Sequence, residues 1–136
     1  MNILLVEDVT INRVILKNIL QNFNCVNNID EAKDGIEAIE KIIRAYNRNN
    51  KYDIIFLDII MPMQSGYHVL EQIKKYEKNN NISDNNRTKI ITISSLDSDE
   101  EKNKSLKMGA DDAIIKPITY NMVKDIFQKW EIIEKD

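Results

Sequence analysis

Five short apolar runs recur along this 136-residue chain, at 3–6, 25–29, 53–57, 89–94 and 113–115, with longer stretches of helical spacing between them. That alternation leaves few folds open. Each run is bounded mostly by polar or turn residues, as strands covered on both faces are. The first helical stretch is marked by Ile11, Val14, Ile15, Ile19 and Phe23, with Thr10 as its N-cap. Ile36, Ile39, Ile42, Ile43 and Tyr46 mark the second, which opens after Asp34-Gly35, and Val69, Leu70 and Ile73 mark the third. The fourth, from about Ser98 to Met108, is mostly polar; Leu106 and Met108 anchor it and Gly109 stops it. Met122, Val123, Ile126, Phe127, Trp130 and Ile133 mark the last, capped by Thr119. Polar stretches at 47–51 and 79–88 read as surface loops.

Five strands alternating with five helices predict right-handed crossovers and a parallel sheet with helices on both faces, an α/β domain spanning 1–136. The flavodoxin-like strand order 2-1-3-4-5 sets the first and third strands side by side at the switch point. Glu7-Asp8 then ends the first strand beside Asp58, which closes the apolar run 54–57. Ser94 and Ser95 come to the same rim from the fourth strand, and Lys116-Pro117 from the fifth. Unit charges about 5 Å apart repel by roughly 3 kcal/mol at an effective dielectric near 20. Such a trio should hold a divalent cation, shift its protonation, or do both.

Composition narrows the function classes. Hydrophobic residues make up 43% and charged residues 30%, the balance of a folded domain, not a disordered one. A formal net charge of -3 predicts no broad attraction to nucleic acid or anionic lipid. The single cysteine, Cys25, forms no internal disulfide and reads as a packing residue in a reducing compartment. No apolar run approaches the ~18 residues of a membrane span, and the N-terminus lacks a secretory pattern. The expected location is cytoplasmic.

The four strand ends carry the groups that phosphoryl transfer onto a carboxylate requires. Mg2+ takes hard oxygen ligands and keeps positions open for phosphate oxygens, with Mn2+ as the alternative ion. A lysine supplies compact positive charge, and a hydroxyl reads a newly added phosphoryl oxygen.

Leu5-Val6-Glu7-Asp8, Asp58-Ile59-Ile60-Met61-Pro62, Gly66, Ile93-Ser94-Ser95, Gly109-Ala110-Asp111-Asp112 and Lys116-Pro117 together resemble the receiver domains of two-component response regulators. The style is that of receivers attached to hybrid histidine kinases, as Asn12 and the polar stretch before the fourth strand suggest. The resemblance implies that Asp58 accepts phosphate from a phosphohistidine on a histidine kinase or phosphotransfer protein. It implies that Asp8, Asp58 and the main-chain carbonyl of Ile60 bind Mg2+, with Glu7 acting through water. Ser94 becomes the switch hydroxyl, Lys116 the partner of Asp58 and its phosphate, and the face of the fourth helix, fifth strand and fifth helix the output surface. The first helix becomes a docking face, with Asn12, Arg13, Lys17 and Asn18 as its polar rim. Such a domain catalyses only its own phosphorylation and dephosphorylation.

Two departures stand out. Ala113 occupies the place of the family's switch aromatic, so output must travel through the Ser94-Ser95 loop and the fourth helix. Ile60 and Leu96, both apolar, flank the acceptor where the family tunes water access, which predicts a long-lived phosphoryl state. A degenerate receiver used only for docking is the alternative reading. A flavodoxin-type cofactor domain would want a phosphate loop where Glu7-Asp8 stands, and a haloacid-dehalogenase-type phosphatase would want its aspartates in an alternating pattern after the first strand. His68 reads as an exposed helical residue, Met61 and Met63 as loop packing, and Phe127 and Trp130 as core.

Overall fold

The computed structural model describes residues 1–95 and 99–135. Strands β1 (Asn2–Val6), β2 (Asn28–Ala32), β3 (Ile54–Asp58), β4 (Lys89–Ser94) and β5 (Asp112–Ile115) alternate with helices α1 (Thr10–Leu20), α2 (Gly35–Asn47), α3 (Gly66–Asn79), α4 (Asp99–Lys107) and α5 (Tyr120–Lys129). All strand pairs are parallel, in the order β2-β1-β3-β4-β5. The predicted architecture is therefore the one observed.

Alternation along the central strands divides the core in two. Leu4, Val6, Ile55 and Leu57 face α2 and α3, meeting Ala38, Ile42, Val69, Leu70 and Ile73. Ile3, Leu5, Ile54 and Phe56 face the other way, toward Leu16 and Leu20 of α1 and Val123, Ile126 and Phe127 of α5. Phe127 is fully buried; sealing such a side chain from water stabilises by roughly 1.5–3 kcal/mol. Trp130 packs against the same half, as expected of it.

Several sequence expectations are corrected. The second strand lies at Asn28–Ala32, not 25–29. It is an edge strand with a half-exposed burial pattern, so it tolerates Asp30 and Glu31, which pair with the Tyr52 hydroxyl at 2.6 Å and with Arg13 at 3.4 Å. Cys25 and Val26 instead form a turn, the Val26 amide donating to the Phe23 carbonyl. Thr10 is the first helical residue of α1, and the N-cap is Val9, which makes no side-chain capping bond. Ile11, Val14 and Ile15 are exposed, because α1 is apolar around most of its circumference and seats only Leu16 and Leu20 fully. Ile36 and Leu106 are exposed too, and Met63 is 94% exposed with a left-handed φ of 71°. Met61 is buried as expected.

Other local signals hold. Asp34, Ser65 and Thr119 cap α2, α3 and α5 by accepting backbone N–H bonds. Gly109 ends α4's turn at φ 103°, where a side chain would be strained. His68 is exposed. Asn49 and Asn81, in the two polar loops, take left-handed conformations that asparagine adopts readily. Ser98, the expected start of the fourth helix, lies outside the described residues.

Candidate functional site

Register builds the site. Val6 pairs with Leu57, so Glu7 emerges beside Asp58, the last residue of β3. Asp58 pairs with Ile93 and Ser94 with Ile115, so Ser94 and Lys116 follow at the same sheet edge. Carboxylate oxygens of Glu7, Asp8 and Asp58 all lie within 4.8 Å of one another. Glu7 and Asp58 are 5% and 2% exposed, while Asp8 is half-buried. The Lys116 ammonium bridges the two buried acids, donating to Glu7 Oε2 at 3.1 Å and Asp58 Oδ2 at 3.2 Å.

Main-chain donors fix the acids further. The Ile60 amide donates to Asp58 Oδ1 at 3.1 Å, and the Val9 amide to Glu7 Oε1 at 3.2 Å. Gly66 closes the loop after β3, its amide donating to the Ile59 carbonyl at 2.7 Å. A Cβ there would stand 2.3 Å from the Asp58 carbonyl oxygen and 2.6 Å from Ile59 Cα. Only glycine fits that approach.

Charge is unbalanced at this edge, and protonation reflects it. Burial, then the hydrogen bond and charge of Glu7, push the Asp58 carboxyl up to about 7, against the pull of Lys116. Burial also pushes Glu7 upward, but hydrogen bonds with Asp58, Asn12 and Lys116 outweigh it and leave Glu7 below its ordinary value. Burial lowers Lys116, yet the charge of Asp58 and the bond to Glu7 hold it above its ordinary value. Near neutral pH the acid pair therefore retains part of a proton. The all-oxygen donor set, crowded enough to hold that proton, fits a hard divalent cation that would displace it.

Ser94 is buried at the end of β4, and its main-chain carbonyl accepts from the Lys116 amide at 2.8 Å. Ile60, two residues past Asp58, is 52% exposed. Leu96, expected on the other flank, lies outside the described residues. Ala113 sits in mid-β5 without a ring.

Two residues matter more here than their sequence suggested. Arg13, expected on a docking rim, turns inward: its Nη1 donates to the main-chain carbonyls of Glu7 at 2.7 Å and Asp8 at 3.3 Å. Asn12 donates to Glu7 Oε1 at 3.2 Å. Together they hold the acidic turn in place. An arginine early in a helix reads as a solvated charge, so only the fold reveals this role. Beside the acids, Ile15, Leu16, Phe56, Pro117 and Ile118 line an apolar groove of about 280 Å³ that reaches Glu7 and Lys116.

Comparison with known proteins agrees with this arrangement. Residues 3–128 match the family model of the response regulator receiver domain. The chain is 34% identical, over 94% of its length, to hybrid signal transduction histidine kinase L of Dictyostelium discoideum, and spans 7% of that protein. Among solved structures, it is 29% identical with a TM-score of 0.78 to the CheX–CheY–BeF3–Mg2+ complex of Borrelia burgdorferi, covering 98% of this chain and 90% of that one. It is 28% identical with a TM-score of 0.80 to the complex of the Saccharomyces cerevisiae histidine phosphotransfer protein Ypd1 with the receiver domain of Ssk1, covering 96% and 88%. Among the described residues no helix is long and apolar enough to cross a membrane. Register, acid cluster and family match converge, and the chain belongs to the receiver domains of two-component phosphorelay signalling.

Proposed function

We propose that this chain is a signalling switch in which Asp58 accepts a phosphoryl group from a phosphohistidine on a histidine kinase or histidine phosphotransfer protein. The observation that carries the reading is the meeting of Glu7, Asp8 and Asp58 within 4.8 Å, with Lys116 bridging two of them. Asp8, Asp58 and the Ile60 carbonyl, with Glu7 through water, would hold Mg2+, or Mn2+ as the alternative ion. A divalent cation there supplies neutralisation of charge on the transferring group.

In the transfer, an Asp58 carboxylate oxygen forms the O–P bond as the P–N bond to the donor imidazole breaks. The electron pair stays on the imidazole nitrogen, which then takes a proton. Lys116 follows the charge from the carboxylate to the phosphoryl oxygens, and Ser94 donates its hydroxyl to one of them. The added charge biases a pre-existing equilibrium of the face formed by α4, β5 and α5. The domain turns over no separate substrate and works in the cytoplasm. Exposed Ile11, Val14 and Ile15 on α1, with Ile60 and Met63 in the loop after β3, supply apolar docking surface for the donor protein. The apolar Ile60 beside the acceptor supports a phosphoryl group that outlasts seconds, checked by loss of radiolabel with Mg2+ present.

The deciding experiment is labelling by a small phosphodonor with Mg2+. Wild type takes label and Asp58→Asn takes none; label retained at the native level in the variant refutes the assignment. Ala113 favours one second reading, a docking module without switching, and absence of label in wild type would select it.

A further inference from the structure

Among the five described helices, α4 buries the fewest of its residues. Among its nine residues only Ser105 is buried, and Leu106 is 39% exposed. Apolar packing therefore contributes little to its docking. Polar contacts to one side chain of α3 take its place. The Tyr67 hydroxyl donates to the Glu101 carboxylate. The Lys104 ammonium sits 4.2 Å from the centre of the Tyr67 ring, within cation–π range. The Ser105 hydroxyl hydrogen-bonds the same phenol oxygen. Residues 101, 104 and 105 are spaced so as to share one helix face, and Tyr67 engages that face.

The other end of Tyr67 is tied to the acceptor. It directly follows Gly66, whose backbone is pressed against the Asp58 carbonyl and Ile59 Cα and is bonded to the Ile59 carbonyl. Although the loop at 59–65 intervenes in sequence, the first turn of α3 is thereby packed directly against the end of β3. Meanwhile β5 offers only Ala113, so no ring can swing from that strand. We infer that Tyr67 is the positioning residue that couples the Asp58 end of β3 to α4, through its clamp on Glu101, Lys104 and Ser105. The contact itself is independent of the phosphoacceptor reading; its use as a relay rests on that reading.

Hydrogen exchange of α4 amides tests both parts. In unphosphorylated protein, Tyr67→Ala should raise α4 exchange about ten-fold and leave β1 and β3 protection unchanged. Tyr67→Phe keeps the ring beneath Lys104 and should fall between. With acetyl phosphate and Mg2+, both variants should still take label on Asp58, while the label-dependent change in α4 protection disappears in Tyr67→Ala. Native α4 protection in unphosphorylated Tyr67→Ala overturns the clamp. A full label-dependent α4 response in that variant overturns the relay. If wild type takes no label, the phosphoacceptor reading has failed, and the unphosphorylated comparison alone decides the clamp.

Discussion

Both edges of the sheet bury carboxylates, and they treat them in opposite ways. At the edge where strands begin, Glu77 accepts from the Tyr46 hydroxyl at 2.6 Å and from Lys74 at 3.3 Å. There too Asp111 accepts from Arg87 Nη1 at 2.9 Å and from the Ile90 amide at 2.8 Å. Burial pushes Asp111 upward, but the Arg87 bond and the Ile90 amide outweigh it and hold the carboxyl below its ordinary value. Where strands end, three acids crowd together with one lysine that bridges only two of them, and Asp58 rises to about 7. Burial alone thus distinguishes nothing. The balance of donors to acids decides whether a carboxylate staples the fold or stays poised for chemistry.

Substitutions can break this contrast from either side. Arg87→Met strands Asp111 and should cost about 2–3 kcal/mol by denaturant unfolding. That is below the range for a fully buried pair, since the guanidinium side chain is 26% exposed. Asp58→Asn should do the reverse. The folded-state value of Asp58 lies above the unfolded one, so the metal-free native state binds more protons between about pH 4 and 7 and loses stability as pH rises through that window. The variant should therefore be more stable than wild type at pH 8 by on the order of 2 kcal/mol, with the difference gone near pH 4. Asp111 has the opposite sign: its contribution is complete above the ordinary carboxylate value and fades as pH falls below it. Mg2+ at ten times its dissociation constant should stabilise wild type by about 1.4 kcal/mol at pH 8 and Asp58→Asn far less, read as thermal shifts. Tyr46→Phe removes a donor to Glu77 and an acceptor for the Thr88 amide, and should cost about 1 kcal/mol. A neutral result there would mean that the stapling edge is less complete than its bonds suggest.

The sequence exposed this site because parallel strands put their C-terminal neighbours on one rim. Glu7, Asp8, Asp58, Ser94 and Lys116 each sit at or just past the end of an apolar run, so counting to the end of each run located them. Less was legible where burial is partial. The edge strand β2 carries Asp30 and Glu31 in place of an apolar run, and α1 offers more apolar residues than its seat can cover, so periodicity marked the exposed Ile11, Val14 and Ile15 and passed over Leu16 and Leu20, while Ile19 and Phe23 do pack inward. Arg13 and Tyr67 were invisible for a different reason. Their partners, main-chain carbonyls and a neighbouring helix, exist only after folding.

Pairing without offset has a price for tolerance to mutation. One residue inserted within β3 ahead of Asp58 would exchange every inward and outward side chain beyond it, sending Phe56's layer to the opposite helices. Core and chemistry would fail together, so a lineage can tinker with helices and loops but must copy these strands letter for letter in length.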